Sequence, residues 1–414
     1  MQRFDAKKVL LIAILASLFT LSLMFFPKEG LAASVEGLHV FFEIVFPSLL
    51  PFFILSELLL GLGVVHAIGA LVEPLMRPLF RVPGVGAFAL SMGLAAGYPM
   101  DAVITAKFRQ NGLCSRIEGA RLLAFTNTAD PLFLFGAVAV GILKAPHLGI
   151  IIAIAHYVSS FLVGFTFRFY GRKEERRTQV FEQEPPRRYL LRHAYHKLIA
   201  ARQEDGRPFG QMLGDAVHES VRTLFMIGGF IVFFSVFLRI LTVISATKLP
   251  MILLGSLLTL FHLSPSLAMP TIAGIFEIDL GTSATAALPQ VPLVEKIAVI
   301  SAIIAWSGLS VHAQVASVLT KTDIRMRPYV IARIYHALLA FLIAYLMFPF
   351  FSHSLLLTAS VSWFTNRQAL FPLLALGIFG FVWLTIILLS LVINARHNIS
   401  ILRFSLSKKV MKKP

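Results

Sequence analysis

Eight long apolar runs dominate the sequence and restrict its fold more than any other feature. They cover residues 9–26, 38–60, 121–142, 147–167, 223–245, 297–320, 330–350 and 371–393. A helix of roughly 20 apolar residues spans the hydrocarbon core of a bilayer. Because 57% of the 414 residues are hydrophobic, only 14% are charged, and the mean hydropathy is +0.80, a soluble protein is excluded. We predict an all-α polytopic membrane protein with about eight transmembrane helices.

Three further apolar stretches are predicted not to cross the membrane. Residues 66–80 are amphipathic and contain Pro74 and Pro78, which favours a helix that lies in the interface. Residues 83–106 and 265–290 are rich in glycine and proline and are polar at their centres. Irregular backbone at membrane depth is tolerated only where protein or a wet cavity covers it. Both stretches are therefore predicted to be re-entrant hairpins.

The distribution of Lys and Arg gives the orientation. With the N-terminus inside and eight alternating spans, six of the 37 cations fall outside and 31 inside. The outside cations are Lys28, Lys144, Arg239, Lys248, Lys296 and Arg367. The positive-inside rule predicts this asymmetry. Cations on the inner side also explain the net charge of +16 without binding of nucleic acid. From the same asymmetry, both termini are expected to be cytoplasmic in a multi-pass protein of a cell membrane.

The N-terminal run has two interpretations. Residues 9–26 follow Arg3, Lys7 and Lys8, and "LAAS" at 31–34 resembles a cleavage site. The run is long for a signal peptide and the rest of the chain is membranous, so a retained first helix is favoured. Cys114 is the only cysteine, which excludes a disulfide framework and a thiolate metal site.

A basic linker divides the chain into two similar halves. Each half has a long helix, a short amphipathic piece, a re-entrant hairpin and two more spans. Asn127 follows Gly93 by 34 residues, and Gly308 follows Gly274 by 34 residues. The predicted domains are an N-terminal helix at 1–34, a first repeat at 35–167, the cytoplasmic linker at 168–212 with some helix in 188–203, a second repeat at 213–350, and a C-terminal helix with a basic tail at 351–414.

The first hairpin is entered from the inside and the second from the outside, so the two repeats are predicted to be inverted. Inverted repeats with broken elements near the midplane are the architecture of alternating-access transporters. Polar groups at the breaks are candidates for substrate contact because burying them in lipid is costly. The predicted substrate-binding residues are Gly97, Tyr98, Pro99, Thr126, Asn127, Thr128, Asp130, Glu277, Asp279, Thr282, Ser283, Ser307, Gly308, Ser310, His312 and Gln314.

Several of these residues have a structural alternative. Thr126 and Thr128 can bond back to their own helix, and Asp130 before a proline can be a helix N-cap. His312 can be a packing residue, or it can form a titrating pair with Glu277 or Asp279 for proton coupling. His156 and His336 are interpreted as packing residues.

Motifs of enzymes are missing from the sequence. It contains no HExxH, no Walker-type glycine loop and no GxSxG. We therefore expect no enzyme, no catalytic residue, no cofactor and no metal site. The mixed charge of the linker and its few aromatic residues favour a solvated loop over nucleic-acid binding.

The motifs at the breaks resemble the YlbJ family of sporulation integral membrane proteins. The resemblance covers about residues 35 to 350. It is carried by "GYP" at 97–99, "LLAFTNTADPLFLFGAVAVG" at 122–141, "GIFEIDLGT" at 274–282 and "WSGLSVHAQV" at 306–315. The two halves are similar to the nucleoside-recognition Gate domain. Asp101 and Asp130 stand where small residues are expected in this family.

The resemblance implies transport of dipicolinic acid from the mother cell across the outer forespore membrane. Donors at broken helices suit this anionic small-molecule substrate, whereas Glu277 and Asp279 suit it only if they are protonated, bind a coupling cation or face away. Two alternatives stay open: a carrier of nucleoside-like or other small metabolites, and a membrane scaffold in spore assembly that does not transport. The expected partners are thus the substrate, a coupling proton or cation and the lipid bilayer, with homo-oligomerisation open.

Overall fold

All regular structure in the described part of the chain is helical. The computed structural model describes residues 6–172 and 190–359. The α-helices, numbered α1 to α16 in chain order, are Ala6–Phe25, Pro27–His39, Phe46–Gly61, Val64–Leu75, Gly86–Ala96, Met100–Gln110, Arg116–Thr126, Leu148–Phe167, Leu190–Asp205, Phe209–Val243, Lys248–Leu260, Ala268–Phe276, Ile278–Ala286, Leu293–Trp306, Gly308–Leu319 and Met326–Ala359. Wider π-helical turns occupy Val40–Val45, Met76–Phe80 and Phe133–Ile142, and a 3-10 turn occupies Pro265–Leu267.

The predicted all-α membrane fold is confirmed. Four helical stretches are long and apolar enough to cross a bilayer: 148–167, 209–243, 293–319 and 326–350. The number rises to six if two bent pairs, at 9–45 and 49–80, each count as one span. Side chains of α1 that a soluble protein would bury, such as Leu10 and Ile12, are 62% and 66% exposed. The chain is therefore an integral membrane protein with several apolar helices, and the predicted span at 371–393 lies outside the described residues.

The predicted interruptions coincide with real breaks. The first predicted hairpin is the pair α5 and α6, and the second is the pair α12 and α13. The runs at 121–142 and 297–320 are also broken, the first between α7 and the π-helical segment Phe133–Ile142, and the second between α14 and α15. The linker helix α9 spans Leu190–Asp205, close to its expected position at 188–203.

Two boundaries differ from the sequence prediction. The span predicted at 223–245 begins earlier, because α10 runs for 35 residues from Phe209. The polar turns of α10 before residue 223 extend it beyond the apolar run from which the prediction was made. The span predicted at 38–60 likewise lies within a longer helical stretch from Pro27 to Gly61, and α1 is bent against the start of that stretch by 101°.

The elements of the two halves pack on each other in matching pairs. The first long helices meet, because α10 packs on α2 and α3, and the last helices meet, because α16 packs on α8. The second helix of each hairpin packs on the far part of the opposite broken helix: α6 on α15, and α13 on the segment Phe133–Ile142. Gly37 allows the approach of α2 to α10, since a Cβ there would lie 3.1 Å from the Val232 Cα.

Ion pairs join segments that are distant in the sequence. The Arg109 guanidinium donates two hydrogen bonds to the Asp323 carboxylate, at 2.7 and 2.9 Å, and joins α6 to the loop before α16. Arg77 pairs with Glu118 at 3.0 Å at the start of α7. The linker helix α9 packs on α4, which directly precedes the π-helical turn that contains Arg77. These segments are the ones that the cation count places inside the cell.

Candidate functional site

The four helix breaks meet where the two halves are in contact. Tyr98, at the first break, donates a hydrogen bond of 2.9 Å to the Ile304 carbonyl of α14. A Cβ on Gly308 would lie 3.1 Å from the Phe276 carbonyl oxygen and 3.3 Å from the Glu277 Cα, so the breaks at 277 and 307–308 are adjacent. The breaks of both halves, with the predicted residues that lie at them, therefore form one polar centre.

Asn127 is the central side chain of the first broken helix. Its Nδ2 donates to the Asp101 Oδ1 at 2.9 Å, and its Oδ1 accepts from the Tyr329 hydroxyl at 2.9 Å. The Thr126 hydroxyl lies within hydrogen-bond distance of both Asp101 Oδ2, at 3.1 Å, and the Leu122 carbonyl, at 2.9 Å. The back-bond considered for Thr126 is thus present together with a contact between hairpin and broken helix.

Arg333 is the residue whose role the sequence prediction missed. The cation count included it among the inside cations, but it lies in α16, about two turns after Met326, and its side chain is fully buried. Its two terminal nitrogens donate to the carbonyls of Asn127 and Ala124. These carbonyls belong to the last turn of α7, where the helix dipole is negative and a cation is stabilised.

The spacing of Tyr329, Arg333 and His336 was a usable signal for this role. Positions i, i+4 and i+7 lie on one face of a helix. A polar face of that kind within an apolar run indicates contact with protein or with a wet cavity.

Asp130 is the N-cap of the second part of the broken helix. Its Oδ1 accepts hydrogen bonds from the backbone N–H groups of Leu132 and Phe133, at 2.9 and 2.8 Å. Its Oδ2 faces Gly97, where a Cβ would approach it to 2.8 Å. Gly97 has a φ of +64°, so a side chain there would be both strained and obstructed. The N-cap interpretation of Asp130 is therefore confirmed.

Two histidines that the sequence analysis set aside support the same break. The His156 Nε2 accepts a hydrogen bond of 3.0 Å from the Ala129 N–H, which requires that this nitrogen carry no proton. The His336 Nε2 donates to the His156 carbonyl at 2.9 Å, and the ring centroids are 4.8 Å apart. Both side chains are fully buried. His156 also satisfies a backbone N–H freed by the break, and His336 contacts the backbone of α8 at His156.

In the second half, Glu277 caps α13 as Asp130 caps its own helix. Its Oε2 accepts from the Leu280 N–H at 3.0 Å. Ser307 has a φ of +68° between α14 and α15, which produces the break there. Its hydroxyl lies 3.4 Å from the Tyr329 hydroxyl.

His312 lies in α15, about one turn after this second break. Its Nδ1 donates to the Gly308 carbonyl at 2.7 Å, and its ring lies 4.3 Å from the Trp306 ring. The proposed titrating pair with Glu277 or Asp279 is not formed by a hydrogen bond among the described residues, because the Nε2 has no partner.

The centre contains buried polar atoms without a hydrogen-bond partner. Within residues 6–172 and 190–359 they include Thr105 Oγ1, Asp279 Oδ1, Thr282 Oγ1, Ser283 Oγ, Ser301 Oγ and His312 Nε2. An unsatisfied buried polar atom costs about 1–3 kcal/mol. A ligand, ion or water bound at these atoms would remove this cost.

Of the remaining predicted residues, Pro99, Thr128 and Ser310 lie at or beside the breaks, and Gln314 lies further along α15. Pro99 immediately precedes α6, and the Thr128 hydroxyl lies 3.4 Å from the Thr126 carbonyl. Ser310 is buried and Gln314 is half-buried on α15. In the part of the chain that the structure describes, no three His, Cys, Asp or Glu side chains are close enough to hold a metal ion.

Comparison with known proteins gives two matches. Residues 42–161, from the first π-helical turn to α8, match the family model "Gate", which is described as nucleoside recognition. The sporulation integral membrane protein YlbJ of Bacillus subtilis (strain 168) is 48% identical over 326 residues, which cover 78% of this chain and 79% of the relative. No solved structure matches the chain.

Proposed function

This chain belongs to the YlbJ family of sporulation integral membrane proteins, and we propose that it is a transporter, and not an enzyme, that carries dipicolinic acid from the mother cell into the forespore. The observation that carries this proposal is the group of unpartnered polar atoms at the helix breaks. Hydroxyls and a ring nitrogen that are buried and unsatisfied at the centre of a membrane protein support a binding site there.

The chemistry of the centre supports a small carboxylate. The hydroxyls of Thr105, Thr282 and Ser283 are donors without acceptors. His312 holds its Nδ1 proton against the Gly308 carbonyl, so its Nε2 accepts a hydrogen bond when the ring is neutral and donates one when it is protonated. Arg333 adds a buried positive charge to the same centre. Dipicolinate, with two carboxylates and a pyridine nitrogen, offers complementary groups.

Alternating access between inverted repeats is the proposed mechanism. The order of elements is the same in both halves, and the odd number of predicted spans in each half reverses the second one. At the centre, single side chains also hydrogen-bond from one half to the other, such as Tyr98 to Ile304 and Tyr329 to Asn127. A rocking motion that exchanges these bonds would open the centre to one side and then to the other.

Uptake of radiolabelled dipicolinate into proteoliposomes, with and without a pH gradient, tests the proposal. We expect uptake by the native chain and its loss in Asn127→Ala, because this change removes the amide that satisfies both Asp101 and Tyr329. A thermal-unfolding scan in detergent separates loss of the site from loss of the fold.

The exchange Asp101→Asn with Asn127→Asp is the matched control. It restores a carboxylate–amide pair with the roles reversed, so the double variant should take up dipicolinate. Asn127→Asp alone places two carboxylates together and should abolish uptake. Failure of a well-folded native chain to take up dipicolinate would reject the substrate. Uptake that is intact in a folded Asn127→Ala variant would reject the site.

The Gate match favours one second candidate, a carrier of nucleosides. Uptake of uridine or adenosine in the same vesicles tests it. A scaffold that does not transport would show no uptake of either class and would tolerate both Asn127→Ala and Glu277→Gln during sporulation.

A further inference from the structure

One face of α13 presents oxygen atoms that no protein group uses. Asp279, Thr282 and Ser283 have the i, i+3, i+4 spacing that places side chains together on a helix surface. Asp279 is 3% exposed and Thr282 is 0% exposed. The Asp279 Oδ1 and the hydroxyls of Thr282 and Ser283 have no hydrogen-bond partner. On the adjacent helix α14, which packs on α13, the fully buried Ser301 hydroxyl has no partner either.

The other carboxylates of the centre are differently placed. Asp101 accepts hydrogen bonds from Asn127 and Thr126. Asp130 and Glu277 each cap a helix by accepting from backbone N–H groups. Asp279 alone of these four has a buried oxygen that receives no donor from the described residues. The free hydroxyls of Thr282 and Ser283 share its helix face, and carboxylate and hydroxyl oxygens are ligands of a hard cation.

Carboxyl groups outnumber cationic side chains at the breaks. Asp101, Asp130, Glu277 and Asp279 are buried there, and Arg333 is the buried guanidinium that contacts the first break. An uncompensated buried charge costs several kcal/mol, and a dianionic substrate would increase the imbalance. A positive ion at Asp279 would reduce it.

We infer that the Asp279, Thr282 and Ser283 face of α13 binds a Na⁺ ion. One free carboxylate oxygen with neutral hydroxyls matches a hard cation of single charge, whereas a divalent ion is held by more carboxylates. Carbonyls at the ends of broken helices coordinate Na⁺ in transporters built in this way. The inference rests on the proposed transport function, in which the ion would offset part of the charge of a carboxylate substrate.

Binding of ²²Na⁺ to the purified full-length chain tests the inference without any substrate. We expect saturable binding that excess unlabelled Na⁺ displaces and choline does not. Asp279→Asn and Thr282→Val should each weaken it by about tenfold or more, and Thr282→Ser, which keeps the hydroxyl, should retain it. Na⁺ should also raise the thermal unfolding midpoint relative to choline at equal ionic strength.

Thr285→Val is the matched control on the same helix. Its hydroxyl is already used, because it donates to the Gly281 carbonyl at 2.7 Å, so this variant should bind Na⁺ like the native chain. Absence of specific ²²Na⁺ binding to a folded native chain would overturn the inference. So would equal weakening by Thr285→Val and Thr282→Val at matched unfolding midpoints in choline.

The two proposals fail in different ways. If ²²Na⁺ binds as expected but dipicolinate is not taken up in any gradient, the transport proposal fails and the cation site stands. If dipicolinate uptake is the same in Na⁺ and in choline and no ²²Na⁺ binds, the cation site fails and the transport proposal stands.

Discussion

At the scale of single residues, Arg333 joins the two halves through two hydrogen bonds. Its planar fork reaches the carbonyls of both Ala124 and Asn127, and a lysine ammonium cannot reproduce this geometry. We therefore predict that Arg333→Lys lowers the free energy of unfolding by about 1–3 kcal/mol and abolishes uptake. Thermal unfolding in detergent and vesicle uptake would measure the two effects.

Arg327, the second residue of α16, is exposed and is the matched control. Arg327→Lys keeps the charge at a solvated position and should change neither unfolding nor uptake. An unchanged free energy of unfolding in Arg333→Lys would show that the hydrogen bonds of the guanidinium to the Ala124 and Asn127 carbonyls do not stabilise the fold.

Cys114 gives a second prediction at this scale. It lies in the loop before α7, it is 3% exposed, and its burial raises the pKa of the thiol to about 12. Since the thiolate is the reactive form, a maleimide should not modify the folded chain at neutral pH. Mass spectrometry before and after denaturation checks this, and rapid labelling of the folded chain would contradict it.

The sequence predicts the polar residues of the site better than their partners. Asn127 and Glu277 stand out because they interrupt apolar runs. Arg333 does not stand out, because an arginine near the end of a predicted span is counted with the loop cations. Whether it faces a loop or a broken helix depends on a contact with a residue 206 positions away in the chain, and no local pattern contains that information.

At the scale of elements, the position of α9 on α4 depends on a glycine. Gly63 precedes α4 with a φ of +80°, and a Cβ there would collide with the backbone carbonyl of Leu198. We predict that Gly63→Ala displaces α9 and increases deuterium exchange of residues 190–205.

The control for this prediction is Gly112→Ala. Gly112 has a similar φ of +72°, but no atom lies within 4 Å of a Cβ built there. The Gly112→Ala variant should therefore have a strained backbone at residue 112 but leave α9 in place. Equal exchange at 190–205 in both variants would mean that the close approach of Gly63 does not hold α9 in place.

Local chemistry explains which elements were predictable. The breaks at 97–99 and 127–131 contain glycine or proline together with polar side chains, which end helices in any context. The early start of α10 at Phe209 was missed because its first turns are polar and were assigned to the linker. These turns are helical because α10 packs on α3. A prediction made from apolar runs does not detect such tertiary packing.

At the scale of the whole molecule, the loops that follow the two broken helices are equivalent positions. Lys144 follows the segment Phe133–Ile142, and Lys321 follows α15. Both side chains are exposed. If the repeats are inverted, these two lysines lie on opposite sides of the membrane, Lys144 outside and Lys321 inside. If the repeats are parallel, both lie on the same side.

Single-cysteine variants distinguish these arrangements. We predict that a membrane-impermeant maleimide added to right-side-out vesicles modifies Lys144→Cys and not Lys321→Cys, both in a Cys114→Ala background. Permeabilised vesicles should give modification of both, which shows that Lys321→Cys is accessible. Modification of both variants in intact vesicles would rule out the inverted arrangement. Because alternating access requires the two halves to present the shared centre to opposite sides, that result would also remove the mechanism proposed for transport.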